Sequence, residues 1–263
     1  MSDSANLIFE EGGTMNRISR LLTTSAEIWH VSPLIAKVVF WAPLVISPLL
    51  VLSRFSKPLY KFILHEDGPV ESATFWSYAL AVLVGIAVTR IRLKNGHRWQ
   101  ALLFLVFAVA MFFCAGEEIA WGQHILHFGT PAKLATVNKQ DEFTLHNIGG
   151  TLHVLNVVIL LVGGAGAAAY LVNQQLHLER YLADADFLVV PPFFLASWFL
   201  IASGYRLFRL VVWRKSGFTI TSYAEWTELC FAFGLLAFSW IVHRHFAPDR
   251  ELAHSAQVET PPA

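Results

Sequence analysis

The sequence predicts an all-α integral membrane protein, a bundle of about six transmembrane helices, and three observations predict it. Of 263 residues, 55% are hydrophobic and 14% charged, whereas a soluble domain carries about 25% charged residues. Mean hydropathy is +0.51. The apolar residues fall in uninterrupted runs of the ~20 residues that cross a hydrocarbon core, bounded by charge, Pro/Gly clusters or tryptophan. These features exclude a water-soluble α/β or all-β enzyme and a disordered chain. Nineteen Lys+Arg against nineteen Asp+Glu give no basis for a nucleic-acid partner. The partner this composition requires is the lipid bilayer.

Residues 1–30 read as an N-terminal segment. Its first 14 residues are polar and acidic, and the first long apolar run starts only near Val31, so no secretory signal is recognised and the first span is expected to remain as an anchor. Met15, followed by Asn-Arg-Ile-Ser-Arg, is an alternative start. The membrane domain, 31–245, holds spans at 31–53, 72–90, 99–117, 148–173, 187–212 and 226–245. The interfacial preference of indole accounts for Trp99, Trp121, Trp213 and Trp226 near span ends. Past Glu117 the third span is expected to continue through Trp121 to Phe128 as a surface-lying turn, stopped by Gly129-Thr130-Pro131. In the fourth span Gly163 and Ala167, and Gly164 and Ala168, are four apart, a spacing that lets helices approach closely, within the bundle or across a dimer. Pro191-Pro192 should bend or delay the fifth span. Residues 246–263 read as a disordered polar tail.

An even number of spans puts both termini on one side. The loop after the second span carries Arg90, Arg92, Lys94 and Arg98 without an acid, and the positive-inside rule places it, and therefore both termini, in the cytoplasm. Three loops then share the other face: His65-Glu66-Asp67-Gly68-Pro69-Val70-Glu71; the stretch from Gly116 to Asn147; and Tyr223 to Glu228. Nine carboxylates and four histidines, His65, His124, His127 and His146, lie there. Ionisable groups at membrane depth cost about 2.5–3.5 kcal/mol at mid-helix, so a concentration of them needs a structural or a chemical reason.

Glu117 and Glu118 come directly after the apolar stretch. On a continuing helix Glu117, Trp121 and His124 stand at i, i+4 and i+7, one stripe, with Glu118 about 100° away. An adjacent acid pair in a partly desolvated site suits a general base on water or a metal ligand; the alternative is a helix-end pair held by interfacial Arg or water. His146 and His153 share a helical face, with Gly149 and Gly150 leaving room beside them. With Glu117, Glu118 and His124 they make a candidate donor set for a divalent metal such as Zn²⁺, although no H-E-x-x-H motif accompanies them. Arg206 and Arg209, opposite Glu225 and Glu228, suit interhelical ion pairs. Cys114 and Cys230 fall at comparable depth, as a disulfide, as thiol ligands or as buried apolar groups.

The strings Glu66-Asp67-Gly68 with Glu71, Gly116-Glu117-Glu118-Ile119-Ala120-Trp121-Gly122-Gln123, Asn138-x-Gln140-x-Glu142 and His146-Asn147 resemble a family of uncharacterised bacterial polytopic membrane proteins. That resemblance, over about a third of the chain, implies a bacterial multi-pass protein and no particular reaction. The chain is also similar to the CAAX-protease-like glutamyl intramembrane proteases, whose signature is E-E-x-x-x-R, then F-x-x-x-H and a later His with Asn. Glu117-Glu118 match the acid pair and His146, His153 and Asn156 fall at later positions. Gly122 stands where that signature has Arg, and Phe143 to His146 is one residue short.

The resulting expectation is a bacterial inner-membrane protein with an extracytoplasmic Glu/His/Asn site, a hydrolase or transferase acting on a lipid-linked or membrane substrate. Glu117 or Glu118 is its base or metal ligand, with His146 and His153 as further catalytic groups. Glu66, Asp67, Glu71, Trp121, Gln123, Asn138, Gln140, Glu142 and Asn147 are its candidate substrate contacts. The rival is a non-enzymatic subunit or assembly factor that docks a membrane protein partner through the same loops.

Overall fold

The computed structural model describes residues 14–65, 68–131, 143–144, 151–176, 189–212 and 217–247. These form α1 (Thr14–Ile28), α2 (Pro33–Ser53), α3 (Lys57–Leu64), α4 (Pro69–Lys94), α5 (Arg98–Glu118), a short α6 (Gln123–Leu126), α7 (Thr151–Leu176), α8 (Ala196–Val211) and α9 (Phe218–Phe246). No strand occurs among the described residues. Six stretches are long and apolar enough to cross a membrane: Pro33–Ser53, Lys57–Lys94, Arg98–Glu118, His153–Leu176, Phe193–Val211 and Phe218–Phe246. The chain is thus an all-helical bundle of the multi-pass kind.

Element ends follow local chemistry. Pro69 opens α4 at a position that needs no intrahelical N–H bond, three residues before the expected start. The Pro191-Pro192 pair delays the fifth span to Phe193, where a single 3₁₀ turn, Phe193–Leu195, leads into α8. At the other extreme, α9 begins at Phe218, eight residues before the apolar run at 226. Its polar first turns are held by other helices: the Tyr60 hydroxyl donates to the Thr219 carbonyl (2.6 Å) and the Tyr205 hydroxyl to the Ile220 carbonyl (2.6 Å).

The helices with extensive contact are ordered α5–α4–α9–α8–α7, with α2 laid on α8. Helix α4, between α5 and α9, buries Val70, Thr74, Ser77, Tyr78, Ala81, Val84, Gly85 and Val88, a wide stripe at helical spacing. Thr74, Ser77 and Thr89 return their hydroxyls to carbonyls one turn back, so these buried polar groups cost little. Around Phe199, 1% exposed, a Cβ on Gly166 of α7 or Gly234 of α9 would stand 2.9 or 3.0 Å from its ring. The small-residue stretch of α7 therefore serves close packing on α8 inside the bundle. Gly163 likewise meets the Phe199 carbonyl and Ser203, whereas Gly164 has open space.

Of the N-terminal segment, the described part from Thr14 onward is packed on the bundle. Helix α1 packs against α2 and the 3₁₀ turn, burying Leu22, Ser25 and Ala26, and the Ser25 hydroxyl accepts the Phe193 N–H at 2.9 Å. Its apolar face is too short and too interrupted to read as a span, so the sequence gives it only as part of the N-terminal segment. Outward-facing Leu34, Val38, Trp76, Val106, Val109 and Phe112 are exposed, a belt that aqueous solvent would not tolerate and a bilayer does.

The two ends of the bundle are distinct. Arg54, whose Nε donates to Thr219 Oγ1 at 2.9 Å, α3, the end of α5 and the start of α9 share one end. Arg92, set over the Phe246 ring at 4.1 Å and donating to Gln100, shares the opposite end with Trp29 and His245. Successive spans therefore run in alternating directions. Trp99 is 80% exposed, as an interfacial anchor would be. Trp226 is not such an anchor: it is buried, with its indole N–H on Ser47 Oγ at 2.9 Å.

Candidate functional site

The end of α5 is built by a reversal of the chain. Ala120, Trp121 and Gly122 have φ of 45°, 53° and 80°, three consecutive left-handed residues where only the glycine adopts that conformation without strain. The helix stops at Glu118, a 3₁₀ turn spans Ala120–Gly122, and α6 continues from it for one turn. The helical stripe Glu117, Trp121, His124 is thereby broken. Trp121 meets Glu117 by another route: the reversed backbone folds the indole over Gly116, where a Cβ would stand 2.9 Å from the ring. Its Nε1–H then donates to Glu117 Oε1 at 2.7 Å, and Phe112 and Phe113 meet the indole edge-on at 6.0 and 5.6 Å.

The run Gly116-Glu117 through Trp121-Gly122-Gln123 is thus first a folding unit. Gly116 makes room, Glu117 is the acceptor, and Gly122 takes the positive φ. Gln123 ties down the chain beyond the turn, donating to Thr130 Oγ1 at 2.9 Å and accepting from the Phe143 N–H. Glu117 is 7% exposed and engaged. Glu118, half-buried, has no hydrogen-bonding or ion-pair partner among the described residues. The charges within electrostatic reach of it are, in decreasing influence, Glu228, Glu225, Glu71 and Glu117.

Five carboxylates therefore converge from three helices. Glu71 sits in the first turn of α4, where the helix dipole favours an anion. Glu117 and Glu118 sit at the C-terminal end of α5, where it disfavours one. Glu225 and Glu228 come from the early turns of α9. Arg206 of α8, 5% exposed, pairs with Glu228 and leaves its Nε without a hydrogen-bond partner. Tyr78, 4% exposed, lies within reach of Cys114, Glu118, Glu228 and Arg206, and Cys114 within reach of Glu118, Glu117 and Glu228. Beneath them Tyr78, Ala81, Met111, Ala115 and Ala232 form an apolar floor.

Sequence reasoning reaches only part of this set. The ion pair of Arg206 with Glu228 forms as the facing i, i+3 spacings suggested. The structure does not bring His153 to the glutamate pair: it is exposed on α7, which packs on α8 at the far end of the helix order from α5. Cys114, which the sequence offers as a disulfide partner, a thiol ligand or a buried apolar group, lies here beside the glutamates, while Tyr78 is marked in the sequence only by spacing. Tyr78 is seven residues after Glu71, and Cys114 lies one turn before Glu118. Glu66, Asp67, Asn138, Gln140, Glu142, His146 and Asn147, and the side chain of His124, lie outside the described residues. Cys114 and Cys230 are free thiols.

Among the described residues no three or more His, Cys, Asp or Glu side chains are grouped to hold a metal ion. Glu117 and Glu118 thus find no third described ligand. The fold and site define a multi-pass helical membrane protein with a group of carboxylates, Glu117 buried and the others half-buried, at one end of its bundle. Compared with protein-family models, curated proteins and solved structures, the chain matches none.

Proposed function

We propose that this chain is a bacterial inner-membrane enzyme whose carboxylate cluster, at the extracytoplasmic end of the bundle, carries out hydrolysis or group transfer on a membrane-embedded substrate. Glu118 is its general base. The observation that carries this reading is the contrast between two adjacent glutamates: Glu117 is fixed by the Trp121 indole, whereas Glu118 lies within electrostatic reach of four other carboxylates and has no hydrogen-bonding partner among the described residues. A carboxylate kept without a partner beside a helix C-terminus costs stability, which argues for a role other than support.

In this reading Glu118 takes a proton from water or an acceptor hydroxyl as its oxygen attacks, and returns it to the leaving group. The unpartnered Arg206 N–H is the group suited to an oxyanion formed in that step. Glu117 is a positioning residue, holding the turn that presents Glu118. The basic residues that flank the α4–α5 connection, Arg90, Arg92, Lys94 and Arg98, support the orientation, with both termini cytoplasmic. The resemblance to bacterial polytopic proteins supports the choice of membrane.

The test is to reconstitute purified protein and its Glu118→Gln variant into vesicles of bacterial total lipid extract and follow lipid species by mass spectrometry. Conversion of a species by the wild type and not by the folded variant supports the reading. An unchanged lipid profile with both proteins, together with a membrane protein that copurifies with the wild type and is lost from the variant, overturns it in favour of a docking subunit.

A further inference from the structure

Away from the carboxylates, a cavity of about 530 Å³ lies between α2, α3, α8 and α9, within the 300–1,000 Å³ range of ligand sites. Its walls are apolar, and the residues at its lateral mouth, Val51, Leu200, Gly204 and Phe208, are exposed on the membrane-facing side. Tyr60 and Thr219 close it at the end of the bundle that also bears Glu118.

The dimensions and the charge of its mouth define the occupant. Leu200 and Phe208 mark its reach along α8, eight residues at 1.5 Å each or about 12 Å. That is close to one leaflet of a hydrocarbon core of about 30 Å and far short of the length a partner's transmembrane helix needs. At its closed end stand cations. Arg54 is exposed and held by Thr219 Oγ1, a lining residue, and Lys57 lies 5.7 Å from the Phe218 ring. Lys61 stands one turn later, and the sequence from Arg54 to His65 contains no acid. Helix α3 itself exposes Leu59 and Phe62, with Phe55 just before it, as a short helix lying in the interface does.

We propose that this groove holds one acyl chain of an anionic phospholipid from the leaflet at the Glu118 end, with its phosphate at Arg54 and Lys57. The site does not depend on the chemistry assigned to Glu118. Gly204 offers a way to close it: a Cβ there meets nothing within 4 Å and Gly204 lines the groove, so Gly204→Trp, or Gly204→Leu as a second variant, puts side-chain volume into it.

The experiment uses vesicles doped with phosphatidylglycerol carrying a photoactivatable group in its acyl chain, or with the matching phosphatidylcholine. Cross-linked peptides are read by mass spectrometry. Labelling concentrated on 44–51 and 200–208, lost in folded Gly204→Trp and Gly204→Leu, is expected. The preference for the anionic probe should be lost in Arg54→Gln/Lys57→Gln. Glu118→Gln should label as wild type does, which separates this inference from the catalytic one. Even labelling around the bundle, or labelling that survives both Gly204 substitutions, overturns it. So does efficient disulfide-linked dimerisation through Gly204→Cys, which assigns the groove to a second copy of the chain.

Discussion

Gly116→Ala tests the architecture of the α5 terminus, because two opposing terms can be weighed. Alanine is the better helix former by about 0.8–1 kcal/mol, so at an open position the substitution stabilises. Here the added methyl would stand 2.9 Å from two indole carbons of Trp121 and 3.0 Å from a third. The ring cannot move away freely, because its backbone is left-handed, it meets Phe112 and Phe113 edge-on, and its Nε1–H is bound to Glu117. Overpacking costs about 1–3 kcal/mol, and a weakened hydrogen bond to a charged acceptor about 1.5–3 kcal/mol. After subtraction of the helix-propensity gain, a net loss of roughly 1.5–5 kcal/mol is expected. In a Trp121→Ala background the clash is gone and the sign should reverse to a gain of about 0.8–1 kcal/mol. Unfolding in mixed micelles by SDS titration, on the four proteins of the cycle, measures both. Equal effects of Gly116→Ala in the two backgrounds would refute the folded-back indole.

The same contacts set three further outcomes. Arg206→Met should destabilise by about 3–5 kcal/mol, because it leaves Glu228 unpaired among other carboxylates, and Arg206→Met/Glu228→Leu should recover most of that loss; the same titration reads both. Phe199→Ala should cost about 3–5 kcal/mol, since its ring fills the contact between α7, α8 and α9, and a loss below about 1 kcal/mol would contradict that packing. Gln123→Ala should speed backbone hydrogen exchange through 123–131 and leave the exchange of α4 unchanged, because it removes the ties to Thr130 and Phe143.

The fold was legible because span length and apolarity are set by the bilayer and not by detailed packing. What the apolar runs missed was polar or short: α1, too brief to span, and the first turns of α9, whose hydroxyl-rich sequence reads as a loop until Tyr60 and Tyr205 are seen donating to the Thr219 and Ile220 carbonyls. The site was legible in part. The adjacency of Glu117 and Glu118 marks a special position, but extending α5 as a regular helix gave the wrong stripe, since nothing in Ala120-Trp121 announces two non-glycine left-handed residues. Grouping by loop puts Glu71, Glu225 and Glu228 on one face with Glu118, and the helix order, with α4 between α5 and α9, makes them its neighbours, while His153 on α7 is not among them.

The central claim is a division of labour between two adjacent carboxylates, and comparing Glu117→Gln with Glu118→Gln in the same vesicles tests it most directly. With Glu117→Gln, the account predicts a stability loss of about 1–3 kcal/mol from the weakened Trp121 hydrogen bond and lipid conversion that persists in the folded fraction. With Glu118→Gln, it predicts wild-type stability or better and no conversion. Conversion retained by folded Glu118→Gln protein, or a stability loss from Glu118→Gln as large as that from Glu117→Gln, would contradict it.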